Sequence, residues 1–260
     1  MRYLTALFTF IFGCLISSAA ITPEKINLPS GGILYYYQAE NCNNGLTVMM
    51  CPGGAYAFVA LDHEGHDMAE WFHGQNINYA VLHYRLPKEA CDTLPMIDTH
   101  EALAYLQNNA AKLGINTEKL GIMGASAGGH LASYTANKDS LVKFQILLYP
   151  VISMYDEVTH VGSRVNLIGD PASNELRDKF SSEKLVNKHT PQAFIVLSSD
   201  DDVVPPMNSL LYYNALIKNQ VAAEMHIFPT GAHGWGFKDD FTHKSEWLTV
   251  MAKWLKNVAK

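Results

Sequence analysis

Short apolar runs alternate along the chain with stretches whose apolar residues recur at helical spacing. Most of the runs are continuously apolar and rich in β-branched and aromatic residues, which is typical of strands covered on both faces. They predict strands at Ile33–Gln38, Leu46–Cys51, Tyr79–Arg85, Leu120–Gly124, Phe144–Tyr149, Ala193–Ser198 and Ala223–Phe228. The periodic stretches predict helices at Asp67–His73, Met96–Leu113, Gly128–Ala136, Asn208–Lys218 and Thr242–Asn257.

The order of these elements predicts an α/β fold. After two initial strands, helices and strands alternate except between residues 149 and 193, which indicates a mostly parallel central sheet with helices on both faces. No linker or repeat divides residues 21–260, so we expect one domain there. Residues 151–189 contain no strand-like run and are punctuated by Gly, Pro, Ser and Asn. A segment this long predicts a lid-like insertion over the functional site.

Residues 1–20 have the pattern of a secretory signal peptide. Arg2 precedes a short apolar core, Leu4–Leu15, and Ser17–Ala20 supplies the small residues that a signal peptidase requires. The apolar run is too short to cross a bilayer comfortably, so we expect cleavage near Ala20, no membrane span, and a periplasmic or extracellular protein. Cys14 stands in a sequence that also resembles a lipobox, which leaves a lipid anchor as the alternative.

Composition and charge exclude several classes. Of the 260 residues, 48% are hydrophobic and 17% are charged, which is incompatible with intrinsic disorder. The formal charge of −6 and the lack of a basic run argue against a nucleic-acid partner. No cysteine pair has the spacing of zinc ligands. Beyond residue 20 the cysteines are Cys42, Cys51 and Cys91, so at most one internal disulfide can form, and whether Cys42 pairs with Cys91 stays open.

The strongest chemical signal is the sequence Gly124-Ala125-Ser126-Ala127-Gly128, which joins a predicted strand to a predicted helix. A Gly-x-Ser-x-Gly motif at such a junction is typical of a nucleophile elbow, whose sharp turn exposes the serine hydroxyl at the end of the strand. The positive end of the following helix would face an oxyanion formed there. Ser126 is therefore the predicted nucleophile.

A serine hydroxyl needs a base, and His233 is the best placed of the eleven histidines. It lies in a glycine-containing loop after the strand Ala223–Phe228, and strand ends line the site in doubly wound folds. His130, one helical turn after Ser126, is expected to support packing instead. An acid must orient the base, and Asp200, Asp201 and Asp202 follow another strand end. Their spacing does not choose among them.

The first central strand runs into a glycine-rich turn, Pro52-Gly53-Gly54-Ala55-Tyr56. Its position parallels the turn that provides oxyanion-hole amides in lipases and esterases. We expect the amides of Gly54 and Ala55 to act there, together with that of Ala127 after the nucleophile.

Together these motifs resemble the bacterial α/β-hydrolase esterases related to acetylxylan esterases. The resemblance is carried by Cys51–Tyr56, Gly124–His130, His160–Gly169, Asp200–Pro205, Asn208–Leu210 and His233–Phe237. It implies that Asp201, four residues before the proline of the Val-Pro pair, is the catalytic acid. It also implies a serine esterase without cofactor or metal that removes short acyl groups, such as acetyl, from plant polysaccharide fragments.

Two positions depart from the family pattern. Ala55 stands where relatives usually have a third glycine, and its methyl group would narrow the acyl pocket. Trp235 replaces a smaller residue and could stack on a sugar or pack in the interior. Tyr56, Glu64 and Arg164 are further candidates for substrate contacts, and Arg164 could equally form a structural ion pair.

Two other functions share these motifs. A serine peptidase of the prolyl oligopeptidase type has the same order of Ser, Asp and His, but residues 21–260 leave no room for a propeller domain. A carbohydrate-binding protein could also use a hydrolase scaffold without catalysis, since a fold does not prove an activity.

Overall fold

The computed structural model describes residues 21–260, so the expected signal peptide and the lipid anchor at Cys14 lie outside the described residues. The α/β fold class is confirmed: an eight-stranded sheet has the order β1-β2-β4-β3-β5-β6-β7-β8. β2 pairs antiparallel with β1 and β4, and every other pairing is parallel. The strands are β1 Glu24–Asn27, β2 Ile33–Tyr37, β3 Thr47–Cys51, β4 Asn78–His83, β5 Leu120–Ala125, β6 Phe144–Leu148, β7 Gln192–Ser198 and β8 Ala223–Phe228.

Helices cover the sheet. They are α1 Ala69–Gly74, α2 Leu94–Asn108, α3 Ala110–Leu113, α4 Ser126–Ala136, α5 Val161–Ile168, α6 Asn174–Phe180, α7 Ser182–Leu185, α8 Met207–Lys218 and α9 Lys244–Val258. The central strands β3, β5 and β6 are buried along their whole length, which explains their continuously apolar sequences. Gly121 of β5 is required by this packing, since a Cβ there would lie 2.1 Å from the ring of Phe144.

The segment 151–189, for which a lid is expected, holds α5, α6 and α7. Ion pairs stabilise this segment. A guanidinium nitrogen of Arg164 lies 3.3 Å from a carboxylate oxygen of Asp156, and another lies 3.1 Å from one of Asp170. The guanidinium of Arg177 lies 2.8 Å from the carboxylate of Asp156. The side chain of Asn166 donates to the Ala55 carbonyl at 2.8 Å, so α5 rests on the glycine-rich turn after β3.

Cys42, Cys51 and Cys91 are free thiols, so Cys42 and Cys91 do not pair in this structure. Across residues 21–260, none of the helices is long and apolar enough to cross a membrane.

Candidate active site

Ser126 is the first residue of α4 and adopts a left-handed backbone conformation with φ of 54°. The turn closes because its glycines lack side chains. A Cβ on Gly124 would lie 2.1 Å from the carbonyl oxygen of Gly128, and one on Gly128 would lie 2.0 Å from that of Cys51. The Gly-x-Ser-x-Gly sequence thus lets strand and helix approach closely enough to present the serine at the carboxyl edge of the sheet.

A continuous chain of hydrogen bonds joins Ser126, His233 and Asp201. Ser126 Oγ is 2.8 Å from His233 Nε2, and His233 Nδ1 is 2.7 Å from Asp201 Oδ2. Asp201 is buried, and its other oxygen accepts the amides of Val203 at 3.0 Å and Val204 at 2.8 Å. Because a carboxylate only accepts, Nδ1 carries the proton and Nε2 is left to accept from the serine.

Of the three consecutive aspartates, Asp201 is the one that contacts His233. Asp200 instead accepts the amides of Gly231 and Ala232 and so shapes the loop that carries the histidine. Asp202 is exposed to solvent.

The turn after β3 has three successive left-handed residues, with φ of 126° at Gly54, 57° at Ala55 and 58° at Tyr56. The Gly54 carbonyl accepts the amides of Ala57 at 2.9 Å and Phe58 at 3.1 Å, which closes the turn. Within residues 21–260, neither the Gly54 nor the Ala55 N–H donates a hydrogen bond. The Ala127 amide lies in the first turn of α4, where N–H groups have no acceptor within the helix. The three amides expected to bind an oxyanion are thus available for one.

The buried carboxylate of Glu64 connects this turn to the histidine loop. Its Oε2 accepts the Gly53 amide at 2.8 Å, and its Oε1 accepts the Tyr149 hydroxyl at 2.7 Å. Tyr149 in turn accepts the Gly236 amide at 2.8 Å, and its ring meets that of His233 edge-on with 4.7 Å between centroids. Glu64 therefore holds the two loops that flank Ser126 at a fixed separation.

A cavity of about 270 Å³ opens beside Ser126. Glu64 borders it, and so do seven residues that were not expected at the site from the sequence: Phe58, Ala60, His63, His160, Val203, Gly234 and Lys238. Their positions in loops gave no signal of their own, although Phe58 closely follows the glycine-rich turn and His160 opens a stretch that carries the family resemblance.

Substrate contacts are also expected for Tyr56, Arg164 and Trp235, but these three residues do not border this cavity. Arg164 is 4% exposed and occupied by its ion pairs. Trp235 is 3% exposed because its ring stacks on that of Phe241, with 4.2 Å between the ring centroids. Its Nε1 donates a hydrogen bond to Ser198 Oγ.

Tyr56 turns inward and contacts His130 instead. Its hydroxyl is 2.7 Å from His130 Nδ1, while His130 Nε2 donates to the Phe180 carbonyl at 2.6 Å. Complete burial lowers the pKa of His130 to about 4. His130 is therefore a neutral histidine that ties α4 to the segment 151–189, and the packing role expected for it agrees with these contacts.

Comparison with known proteins places the chain in a family. A family model described as the prolyl oligopeptidase family matches residues 92–260, and a second one, described as BD-FAE, matches residues 34–148. The acetyl ester-xyloside bifunctional hydrolase of Caldicellulosiruptor lactoaceticus superposes with a TM-score of 0.82 at 32% identity, covering 88% of this chain and 89% of that one. The chain belongs to the prolyl oligopeptidase family of α/β hydrolases, and it is similar to acetylxylan esterases.

Two curated relatives of this α/β-hydrolase family are longer than the chain. An acetylxylan esterase of Xylanibacter ruminicola is 34% identical over 222 residues, which are 83% of this chain and 46% of the relative. Endo-1,4-beta-xylanase B of Butyrivibrio fibrisolvens is 34% identical over 204 residues, 72% of this chain and 32% of the relative. The chain thus spans less than half the length of either relative.

The likeness to an acetylxylan esterase and to an acetyl ester-xyloside hydrolase, within an α/β-hydrolase family, confirms the resemblance drawn from the motifs. It does not by itself choose a substrate, because the family is named after a peptidase whereas the relatives above are named for ester and xylan chemistry. The substrate has to be argued from the site.

Proposed function

We propose that this protein is a serine carboxylesterase that removes short acyl groups, acetyl first among them, from xylan or other plant polysaccharide fragments. The observation that supports this best is the hydrogen-bonded chain from Asp201 through His233 to Ser126, next to the free amides of Gly54 and Ala55. An activated nucleophile and a pre-formed anion site at one cavity are what acyl transfer requires.

In the first half of the reaction, Ser126 Oγ attacks the ester carbonyl while His233 Nε2 takes its proton. Negative charge then develops on the carbonyl oxygen, and the amides of Gly54, Ala55 and Ala127 stabilise it. Asp201 stabilises the imidazolium that forms. The C–O bond to the alcohol breaks, and His233 returns the proton to the departing sugar hydroxyl.

In the second half, water replaces the alcohol. His233 removes a proton from the water, whose oxygen attacks the acyl carbon, and collapse of the second tetrahedral intermediate returns the proton to Ser126. Acetate leaves and the enzyme is regenerated. Both halves require neutral His233 as a base.

The cavity supports a short acyl chain. Its volume of about 270 Å³ has to hold both the acyl group and the nearest part of the alcohol, and the walls near the serine include Gly54, Ala55 and Ala60. A long fatty acyl chain together with its alcohol would not fit in this volume.

A second candidate is a peptidase of the prolyl oligopeptidase type, because the matching family model carries that name. We rank it below the esterase because the relatives above are named for ester or xylan chemistry.

Export of the protein is part of the esterase proposal. A signal peptide at residues 1–20, cleaved near Ala20, agrees with a polymeric substrate outside the cell.

Substrate panels distinguish these activities. Purified protein would be offered acetylated xylo-oligosaccharide, p-nitrophenyl acetate, p-nitrophenyl palmitate and a prolyl peptide substrate. We expect acetate release from the first two and little turnover of the others. Peptide cleavage in preference to both acetates would favour the peptidase, and glycan binding without turnover of any ester would favour a non-catalytic scaffold.

A further inference from the structure

His160 borders the cavity beside Ser126, although it comes from the segment 151–189 and not from a strand end. It is the N-cap residue of α5. Its Nδ1 lies 2.8 Å from Ser163 Oγ and accepts the Ser163 backbone amide at 3.3 Å. The side chain is therefore anchored at one ring nitrogen by the first turn of the helix that rests on the glycine-rich turn.

This cap fixes the tautomer of His160. A backbone N–H can only donate, so Nδ1 must present its lone pair and cannot carry a proton. The proton of the neutral ring then resides on Nε2. Burial, and next the nearby His233, lower the pKa of His160, although Asp201 opposes this, so the ring is neutral at ordinary pH.

The Nε2–H of His160 is a donor without an acceptor: it makes no hydrogen bond to any of residues 21–260. His160 is half-buried and borders the cavity, so this donor is available to an acceptor on a ligand that binds there.

Phe58 forms an apolar wall of the same cavity, and its side chain is 59% exposed. Its backbone belongs to the turn that holds the oxyanion amides, since its N–H donates to the Gly54 carbonyl. The ring is thus positioned by the same hydrogen bonds that position those amides.

We infer that Phe58 and His160 form the subsite for the alcohol part of the ester, and that this alcohol is a pyranose ring. A pyranose has C–H groups on its faces, which pack against an aromatic ring, and oxygen atoms around its edge, which accept from an N–H. A simple alkyl alcohol would leave the His160 donor unpaired. This inference rests on the proposed esterase function and adds residues that recognise the sugar.

Three acetate esters test the two contacts separately. Methyl 2-O-acetyl-β-xylopyranoside has both the ring and its oxygen atoms, cyclohexyl acetate has a ring of the same size without them, and ethyl acetate has neither. The kcat/KM values would be measured for the wild type, His160→Ser and Phe58→Ala. Serine is a good N-cap residue, so His160→Ser removes the donor while α5 keeps its cap. The exposed His189 provides the matched control His189→Ser.

One hydrogen bond corresponds to about a tenfold change. We expect His160→Ser to lower kcat/KM about tenfold more for the xyloside than for cyclohexyl acetate. Phe58→Ala should lower the values for both ring substrates several-fold relative to ethyl acetate, and His189→Ser should leave the ratios among the three at their wild-type values.

Equal effects of His160→Ser on all three esters, or no effect, would overturn the inference, because a residue acting only through the fold cannot distinguish a sugar from a cyclohexyl ring. Thermal melting of each variant identifies loss of folding, and in that event His160→Asn, which also caps helices, replaces His160→Ser. If the wild type releases acetate from none of the three esters, the proposed function itself has failed, which is a different outcome.

Discussion

The carboxylate of Glu64 accepts the backbone N–H of Gly53 at a distance of 2.8 Å, next to the turn whose amides we propose as the oxyanion site. The contact is tight, since a Cβ on Gly53 would lie 2.6 Å from that carboxylate oxygen and 2.9 Å from the Cβ of Ser126. Glu64 is 3% exposed, and both of its oxygens are occupied. It is therefore a positioning residue for the turn and not a free acid for chemistry.

Replacing Glu64 by glutamine should lower kcat about tenfold or more, because the amide can accept only one of the two donors and turns its NH₂ group towards the other. The misplaced Gly53 would shift the oxyanion amides, and small misplacements at a reacting centre are costly. A buried unpaired donor costs about 1–3 kcal/mol in stability. The measurement is kcat on p-nitrophenyl acetate with urea unfolding alongside. Glu70 is exposed, so Glu70→Gln is the control. An unchanged kcat in Glu64→Gln would refute the positioning role of Glu64.

Asp201→Asn should reduce kcat by about 10³–10⁴-fold, since asparagine no longer holds the proton on Nδ1 or stabilises the imidazolium. KM should change far less, because Asp201 lies behind the histidine. The neighbouring Asp202→Asn has the same chemistry at an exposed position and should keep the wild-type rate. A larger loss in Asp202→Asn than in Asp201→Asn would contradict the assignment.

Gly54→Ala should abolish most activity, because a Cβ there would lie 2.2 Å from the Phe58 carbonyl oxygen at a backbone φ of 126°. Either the turn moves, which displaces the amides of Gly54 and Ala55, or the protein unfolds. Gly74→Ala is the matched control, since a Cβ at Gly74 has no heavy atom within 4 Å. Circular dichroism separates a displaced turn from an unfolded chain. Wild-type turnover by folded Gly54→Ala would show that these amides do not bind the oxyanion.

His130 makes stability depend on pH. The folded protein keeps its ring neutral down to about pH 4, whereas an unfolded chain takes up the proton near the ordinary value of 6.5. Below pH 6.5 the unfolded state therefore binds more protons, and stability falls as the pH decreases towards 4. The difference between these two pKa values corresponds to a loss of about 3 kcal/mol in the free energy of unfolding.

Denaturant unfolding from pH 8 to pH 4 measures this dependence in the wild type and in His130→Gln. Glutamine can accept from Tyr56 and donate to Phe180 but does not titrate. The variant should lose less stability between pH 6.5 and pH 4. Parallel curves for the two proteins would mean that His130 is not the group responsible.

Much of the architecture could be predicted because buried parallel strands leave a plain signal. The seven predicted strands all correspond to observed strands, and the motif 124–128 lies at a strand–helix junction as expected. β1 was missed because it has four residues, three of them exposed, so it has no apolar run. The placement of β4 between β2 and β3 depends on crossover connections that no local pattern encodes.

The substrate-facing residues were harder to predict because burial is decided by tertiary contacts. An indole such as Trp235 has the same sequence signature whether it faces a sugar or stacks on Phe241. Arg164 is likewise indistinguishable from an anion-binding residue until Asp156 and Asp170 are found beside it. His160 and Phe58 lie in loops, where no periodicity indicates which way a side chain points.

The central claim, that Ser126 is the nucleophile of a polysaccharide esterase, is tested most directly by acetate release from acetylated xylo-oligosaccharide by the wild type and by Ser126→Ala. We expect turnover by the wild type and at least a 10³-fold lower rate in a folded Ser126→Ala protein. Equal acetate release by the two proteins would contradict the account.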